Sequence, residues 1–368
     1  MSTQQNWYLI FAYALGVSFL VSIILTDLIR RLAIRWDVLD YPGERKVHQA
    51  PMPLMGGVAI VLTFYAVIIV HLLGLLSAQR LGDDWLNENI LSFLGTHVWL
   101  KLAGIFLGGA VIFVLGLVDD LKALKPEIKL AGQILAALIL VLSGIRVDLF
   151  IPNEWISMLV TLGWVVMMTN AMNLLDNMDG LSGGVAVISA FSFFLCIWPH
   201  GDAFVCVLLM VFAGSVAGFL YHNLNPARIF MGDAGAMFCG YVLSTVAVLG
   251  TFHTEATPSR AAVAAPILAL AVPIFDTLSV IFIRWRRGES IMKGDKRHFS
   301  HRLVDLGMSA RQAVEFILLV AVVTGLGGAL LPQVGPTGTA IILAQTAGVF
   351  LLIVLLMNAG KRSGEPKE

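Results

Sequence analysis

The chain has 368 residues, of which 58% are hydrophobic and only 13% charged. A chain this apolar needs lipid as part of its solvent, which excludes an ordinary soluble domain. Its 24 Lys and Arg residues balance its 24 Asp and Glu residues, so no basic field favours a nucleic-acid partner. The three cysteines, Cys196, Cys206 and Cys239, lie in apolar runs without metal-ligand spacing and are interpreted as packing residues.

Eleven segments are apolar enough to cross roughly 30 Å of hydrocarbon as helices, which takes about twenty residues each. They run approximately over 7–28, 54–76, 100–118, 128–143, 156–172, 185–198, 203–221, 236–252, 261–283, 313–331 and 339–357. Pro266 and Pro273 remove backbone donors from the ninth segment, so we expect a bend there. The sequence therefore predicts an all-α integral membrane protein, with a single polytopic domain over residues 1–368.

The positive charges predict how these helices are oriented. Twenty of the 24 Lys and Arg residues fall in one set of alternate loops and the C-terminal tail. The opposite loops hold only Arg80, Lys101, Arg146 and Arg260. Because Lys and Arg in short loops are retained in the cytoplasm, we expect the N-terminus outside and the C-terminus inside, as an odd number of spans requires.

The cytoplasmic loops also carry polar clusters that suggest chemistry. Asp119 and Asp120 end the third span in G-L-V-D-D. Adjacent carboxylates suit Mg²⁺, which usually takes one or two carboxylates together with substrate phosphates. An ordinary polar helix end is the alternative, since a similar pair, Asp83 and Asp84, occurs in an outer loop.

A second cluster continues the fifth span. Asn170, Asn173, Asp176 and Asp179 recur at steps of three before a Gly-rich segment. This spacing puts neighbouring side chains within reach on a helix surface, so amides and carboxylates can converge on one ligand. Turn formation explains Asn, Asp and Gly singly, but not four polar groups that directly extend an apolar span.

Two further carboxylates follow later in the chain. Asp233 lies near Asn225 and Arg228, and a glycine directly precedes it. Backbone can approach a phosphate closely at such a position, and the carboxylate can hold the metal of that phosphate, although a plain turn is an equal alternative. Asp276 lies within the ninth span, where a carboxylate costs roughly 2.5–3.5 kcal/mol at a helix centre and is a functional candidate unless it reaches the interface.

Histidines and cations occupy two more loops. The loop over 284–312 carries His298, His301, Lys296, Arg297 and Arg302. Such a group suits a diphosphate, and the positive-inside rule explains its cations but not its two histidines. Lys46 and His48 precede a Pro- and Gly-rich turn that enters the second span, where an ordinary loop is the alternative.

Carboxylates for a divalent metal, cations for phosphates and no activated Ser or Cys nucleophile together favour phosphoryl transfer. The loops expected to form the site are 30–53, 119–129, 170–184, 222–235 and 284–312. The alternative from another class is a transporter of anionic lipid-linked or nucleotide sugars. A transporter predicts polar groups near the membrane midplane, whereas here they gather at one face.

These residues resemble the polyprenyl-phosphate N-acetylhexosamine-1-phosphate transferases. The resemblance rests on six ordered motifs between residues 46 and 303: K-V-H-x-x-P-x-P-x-x-G-G, G-L-x-D-D, N-A-x-N-L-x-D-x-x-D-G-L, F-M-G-D-x-G, P-x-x-D-T and D-K-x-H-x-x-H-x-L. It implies transfer of a sugar 1-phosphate from a UDP-N-acetylhexosamine to undecaprenyl phosphate at the bacterial inner membrane, with release of UMP. It further implies Mg²⁺ or Mn²⁺ as cofactor, eleven helices and an N-terminus outside. A homodimer is one of the arrangements left open.

Taken together with the clusters above, the resemblance gives each candidate residue an expected role. The catalytic candidates are Asp119, Asp120, Asp176, Asp179 and His298. The substrate-binding candidates are Lys46, His48, Lys129, Asn170, Asn173, Asn225, Arg228, Asp276, His301 and Arg302. The metal candidates are Asp120, Asp233 and Asn173. Direct attack by the lipid phosphate and an aspartyl-phosphate intermediate are both open.

The chain departs from the motifs at two places. Ser300 stands where the nearest bacterial members have the middle histidine of H-x-H-H, and Asn177 with Met178 stands where Gly often follows the first aspartate. The D-K-x-H loop resembles the branch that uses UDP-N-acetylglucosamine or a related simple sugar. The branch that transfers phospho-N-acetylmuramoyl-pentapeptide is the alternative.

Overall fold

The described part of the chain is almost entirely helical. A computed structural model describes residues 3–42, 50–80, 96–147, 153–252, 257–289 and 297–363. Its α-helices are α1 (Thr3–Arg35), α2 (Gly56–Arg80), α3 (Thr96–Lys122), α4 (Pro126–Leu142), α5 (Glu154–Leu175), α6 (Leu181–Ile197), α7 (Ala203–Asn223), α8 (Gly232–Leu249), α9 (Ala265–Ala269), α10 (Ala271–Arg286), α11 (Phe299–Asp305), α12 (Ala310–Leu330) and α13 (Pro336–Ser363). Short 3-10 helices cover Trp198–His200, Arg260–Ala264 and Leu331–Gln333. Leu39–Asp40 (β1) pairs antiparallel with Met52–Pro53 (β2).

The helices confirm the predicted class of integral membrane protein. Within the described residues, nine helices are long and apolar enough to cross a membrane, or ten if one bent pair is a single span. Each of the eleven predicted spans overlaps a helix or this bent pair. The fourth predicted span corresponds to α4, which has 17 residues. A helix of that length is about 25 Å long, which is shorter than the roughly 30 Å thickness of the hydrocarbon core. The count of eleven and the orientation of the termini stay predictions.

The predicted bend in the ninth span is confirmed. Arg260–Ala269 and Ala271–Arg286 meet at 72°. Pro273 has no N–H to donate to the carbonyl of Ala269, one turn earlier. The hydroxyl of Ser189, from α6, donates to that carbonyl instead, at 2.8 Å. A buried serine on a neighbouring helix thus satisfies the backbone group that the proline leaves free.

Small residues let α1 lie close along α7, the most buried of the long helices. A methyl group added at Gly214 would lie 2.5 Å from the carbonyl oxygen of Leu15, and one at Gly218 would overlap that of Phe19. The hydroxyl of Ser22 donates to the carbonyl of Ser215 at 2.5 Å. Close backbone approach of this kind is how helices associate where lipid removes the hydrophobic drive between them.

Glycines also bring α2 and α3 against the first turn of α8. A methyl group on Gly57 would overlap the backbone of Gly235, and one on Gly116 would overlap that of Ala234. The loop before α8 is tied to the chain before α2, because the N–H of Phe230 donates to the carbonyl of Pro53 at 2.8 Å. The start of α8 is therefore held among three other segments, and the predicted carboxylates lie around it.

Candidate active site

Asp120, in the last turn of α3, caps the start of α8. Its Oδ1 accepts from the N–H of Asp233 at 2.7 Å, and its Oδ2 accepts from the N–H of Ala234 at 3.1 Å. The first N–H groups of a helix have no partner within the helix, and the positive end of the helix dipole favours a carboxylate there. Gly232 has φ +73°, and a methyl group on it would lie 2.7 Å from the Asp120 carboxylate, so only glycine fits this turn.

Asp233 contacts side chains from three other helices, α3, α4 and α5, and we call this set of contacts the junction at Asp233. Its Oδ2 pairs with Nζ of Lys129, from α4, at 2.7 Å. Its Oδ1 accepts from Nδ2 of Asn173, from α5, at 2.9 Å. Lys129 also pairs with Asp119, whose Oδ1 accepts from the N–H of Leu124 at 2.6 Å. One ammonium group therefore lies between two carboxylates that come from α3 and α8.

Asp176 follows the last residue of α5 and lies in the negative field of this cluster. Burial raises the pKa of Asp176 to about 8, and the negative charges of Asp233, Asp120 and Asp179 add to the shift. The three segments that carry Asp119 and Asp120, Asp176, and Asp233 thus come together in the structure.

Asp179 holds the loop between α7 and α8. Its Oδ2 accepts from Nδ2 of Asn225 and from the N–H of Ala227, both at 3.0 Å. The side chain of Asn223 reaches back, and its Oδ1 accepts from the N–H of Gly180 at 2.9 Å. Asn225 and Arg228 are exposed on this loop. The substrate contacts expected of Asp179, Asn225 and Arg228 stay predictions.

Asn170 lies one turn behind Asn173, where Gln133 of α4 meets it. Nδ2 of Asn170 donates to Oε1 of Gln133 at 2.6 Å, and Nε2 of Gln133 donates back to Oδ1 of Asn170 at 3.2 Å. This reciprocal amide pair uses one donor and the acceptor of Asn170, and Gln133 is only 1% exposed. Asn170 therefore forms a supporting contact between α4 and α5, and its predicted substrate contact stays a prediction. Gln133 escaped the sequence reasoning because it is a single amide inside an apolar run.

Asp276 is buried behind His298. Its Oδ2 lies 2.8 Å from Nδ1 of His298, and its Oδ1 accepts from the N–H of Phe299 at 2.5 Å. Both carboxylate oxygens are engaged and Asp276 is 1% exposed, so its placement does not support the predicted substrate contact. A carboxylate at Nδ1 fixes the orientation of the imidazole ring and leaves Nε2 as the nitrogen available to a ligand.

Two of the remaining substrate-binding candidates lie on α11. His301 and Arg302 are in α11 and are half-buried. Nη2 of Arg302 donates to the hydroxyl of Ser279, from α10, at 2.5 Å. Lys46 and His48 fall outside the described residues. His298 and Arg302 are thus both anchored to α10, beyond the bend.

The donor set around Asp233 fits a hard divalent cation. The side chains of Asp119, Asp176, Asp233 and Asn173 offer oxygen atoms, which Mg²⁺ and Mn²⁺ prefer. Across the described ranges, no three His, Cys, Asp or Glu side chains form a ready metal cage. Lys129 lies between Asp119 and Asp233, so these two carboxylates share an ammonium group.

The family of the chain follows from comparison with known proteins. Residues 102–251 match glycosyl transferase family 4, and this stretch contains Asp119, Asp120, Asn173 and Asp233. The residues that build the junction at Asp233 therefore lie inside the matched region. A helical membrane protein with this site and this match is a membrane-embedded glycosyl transferase.

Similarity to known proteins over most of the chain specifies the family more closely. The chain is 32% identical to the probable undecaprenyl-phosphate N-acetylglucosaminyl 1-phosphate transferase of Bacillus subtilis strain 168, over 95% of the chain and 90% of that protein. It is 33% identical to the decaprenyl-phosphate N-acetylglucosaminephosphotransferase of Mycolicibacterium smegmatis, over 90% and 84% respectively. The Escherichia coli K12 undecaprenyl-phosphate alpha-N-acetylglucosaminyl 1-phosphate transferase is 25% identical, over 79% and 76%. The chain belongs to the polyprenyl-phosphate N-acetylhexosamine-1-phosphate transferases, the family that its motifs predicted.

Proposed function

We propose that this enzyme transfers N-acetylglucosamine 1-phosphate from UDP-N-acetylglucosamine to undecaprenyl phosphate and releases UMP. The names of its relatives support a polyprenyl phosphate as acceptor and N-acetylglucosamine as the sugar. They favour this reaction over transfer of phospho-N-acetylmuramoyl-pentapeptide, and family membership favours an enzyme over a transporter. The observation that carries the proposal is the junction at Asp233, where side chains from α3, α4 and α5 meet the start of α8.

The reaction exchanges one phosphorus–oxygen bond for another. An oxygen of the lipid phosphate attacks the phosphorus that bears the sugar, and the bond from that phosphorus to the bridging oxygen breaks. UMP leaves with this oxygen and its electron pair. Positioning and charge neutralisation supply most of the catalysis in such transfers, which suits a site made of fixed carboxylates and cations.

A divalent cation, Mg²⁺ or Mn²⁺, completes the proposed site. Asp233 and Asn173 would hold it, because the hydrogen bond from Nδ2 of Asn173 to Asp233 leaves the amide oxygen of Asn173 for an ion. When bound, the cation would neutralise the negative charge on the diphosphate. Asp120 would act mainly by fixing the first turn of α8, since both of its oxygens accept backbone N–H groups. Both oxygens of Asp119 are engaged as well, by the N–H of Leu124 and by Lys129, so either aspartate is a candidate to accept a proton from the lipid phosphate.

The cationic side of the site comes from α11. His298 would donate from Nε2 to a phosphate oxygen, since Asp276 holds its Nδ1. His301 and Arg302 follow on the same short helix. The donor is a water-soluble nucleotide sugar of the cytoplasm, so this site would face the cytoplasmic side of the inner membrane, in agreement with the positive charges of the inner loops. A homodimer remains a prediction.

The test is to incubate purified protein with undecaprenyl phosphate, labelled UDP-N-acetylglucosamine and Mg²⁺, and to follow UMP and lipid-linked label. We expect both products in equal amounts, and we expect EDTA to abolish them. Asp233→Asn should lower turnover by roughly 100-fold or more, as expected for a metal ligand. Asp202→Asn, at the start of α7 and at the opposite end of the helices, is the matched control and should keep turnover. No product with any UDP-hexosamine would refute the proposed function.

A further inference from the structure

A buried hydrogen bond joins α11, which carries His301 and Arg302, to the loop between α5 and α6, which carries Asp176 and Asp179. Ser300 is in the first turn of α11 and is 1% exposed. Its hydroxyl donates to Oδ1 of Asn177 at 2.5 Å, across 123 positions of sequence. A buried hydroxyl has no water to bond with as an alternative, so the loss of either partner leaves the other unsatisfied.

Asn177 is itself fixed to the end of α5. Its Nδ2 donates to the carbonyl of Leu174 at 2.9 Å, and its backbone N–H donates to that of Leu175 at 2.9 Å. It directly follows Asp176, and α5 is the helix that carries Asn173. Because both ends of the amide are used, the side chain of Asn177 links α11 to the helix that supplies the carboxylate cluster.

The helix α11 has only seven residues, too few to be stable or fixed by itself. Its first N–H, at Phe299, donates to Asp276, which also binds His298. Ser300 comes next and contacts Asn177 on another segment. The short helix is therefore held at its start from two directions, by α10 and by the loop between α5 and α6.

We infer that the Ser300–Asn177 hydrogen bond is a positioning contact, which sets the distance of His298, His301 and Arg302 from the carboxylate cluster. The inference rests on the proposed function, because these cations bind the diphosphate only if the enzyme transfers a sugar phosphate. Ser300 and Asn177 act through their neighbours and need not touch the substrate. Without this hydrogen bond, α11 stays bound to Asp276, but its position relative to Asp176 is no longer fixed. We therefore expect the affinity for the diphosphate to fall more than the rate of the chemical step.

The test is a double-mutant cycle on Ser300→Ala and Asn177→Ala, with kcat and KM measured separately for UDP-N-acetylglucosamine. We expect Ser300→Ala to raise KM roughly fivefold to tenfold, the size of effect that one lost hydrogen bond gives, with kcat within about twofold. The double variant should resemble the single variants rather than combine their effects. Ser300→Thr keeps the hydroxyl and should restore KM. Ser192→Ala is the control, because Ser192 is a buried serine whose hydroxyl donates to the carbonyl of Ile188 in its own helix.

The outcomes separate the contact from the proposed function. A wild type that transfers the sugar phosphate, with an unchanged KM in Ser300→Ala or fully additive effects in the cycle, overturns the positioning role alone. If the wild type does not transfer, the dissociation constant of UDP-N-acetylglucosamine takes the place of KM, and an equal value in Ser300→Ala overturns the contact. A wild type that neither transfers nor binds this nucleotide sugar overturns both.

Discussion

Lys129 shows how one side chain can serve two partners at the site. The sequence predicts a contact with the diphosphate, and in the structure its ammonium group bridges Asp119 and Asp233. These carboxylates are also the ones proposed to face the cation and the lipid phosphate. Because a divalent cation and the ammonium group neutralise the same charges, binding of the metal should release Lys129 towards the phosphates.

Replacement of Lys129 by methionine tests this competition. Without the ammonium group, Asp119 and Asp233 repel each other, so the protein in EDTA should unfold at a lower temperature than the wild type. Added Mg²⁺ should then raise the melting temperature more in Lys129→Met than in the wild type. Lys129→Arg keeps the charge and serves as the control. The same Mg²⁺-induced rise in Lys129→Met and in the wild type would contradict the competition.

The site residues that the sequence predicts lie beside apolar spans, whereas those that it does not predict depend on tertiary contacts. The convergence of Asp119, Asp176 and Asp233 was predictable, because polar groups next to apolar spans stand out and the charge bias puts their loops on one side. Asn177 and Ser300 were noticed only as departures from the motifs. That these two departures contact each other depends on tertiary packing between segments 123 positions apart, which no local pattern encodes.

At the scale of elements, the start of α8 depends on a glycine. Gly232 adopts φ +73° and leaves room for the carboxylate of Asp120. The cap on α8 and the position of Asp233 both follow from that turn. The tight turn before the helix is therefore a requirement of the site as well as of the fold.

We expect Gly232→Ala to displace Asp120 and to lower turnover by roughly 100-fold, since a shift of about 1 Å at a catalytic group can have that effect. Gly144→Ala is the matched control. Gly144 has φ +81°, so alanine strains its backbone similarly, but nothing lies within 4 Å of the added methyl group. Equal losses of turnover in the two variants would show that backbone strain alone, and not contact with Asp120, is responsible.

Hydropathy predicted the long elements well and the short ones poorly. The long helices follow from runs of apolar residues, and Pro266 and Pro273 predicted the bend. The seven-residue helix α11 was not predicted, because it is shorter than the span over which a periodic pattern can be read. The bounds of α4, Pro126–Leu142, lie close to the short span predicted over 128–143.

At the scale of the whole molecule, the carboxylates of the site gather at one end of the helices. The carboxylates lie at the C-terminal ends of α3 and α5 and at the N-terminal end of α8. The other end carries aromatic residues such as Trp7 and Trp198, whose ring centroids are 6.4 Å apart. Tryptophans of this kind are typical of a membrane interface. The distribution of Lys and Arg predicts that the carboxylate end faces the cytoplasm.

The most direct test of a single transfer site on the cytoplasmic face uses sealed membrane vesicles of both orientations. UDP-N-acetylglucosamine is charged and does not cross the bilayer, so externally added labelled donor reaches only the outward face of each vesicle. With the protein and undecaprenyl phosphate present, we expect lipid-linked label and UMP from inside-out vesicles. Right-side-out vesicles should give them only after permeabilisation. Transfer from external donor in sealed right-side-out vesicles would contradict the account.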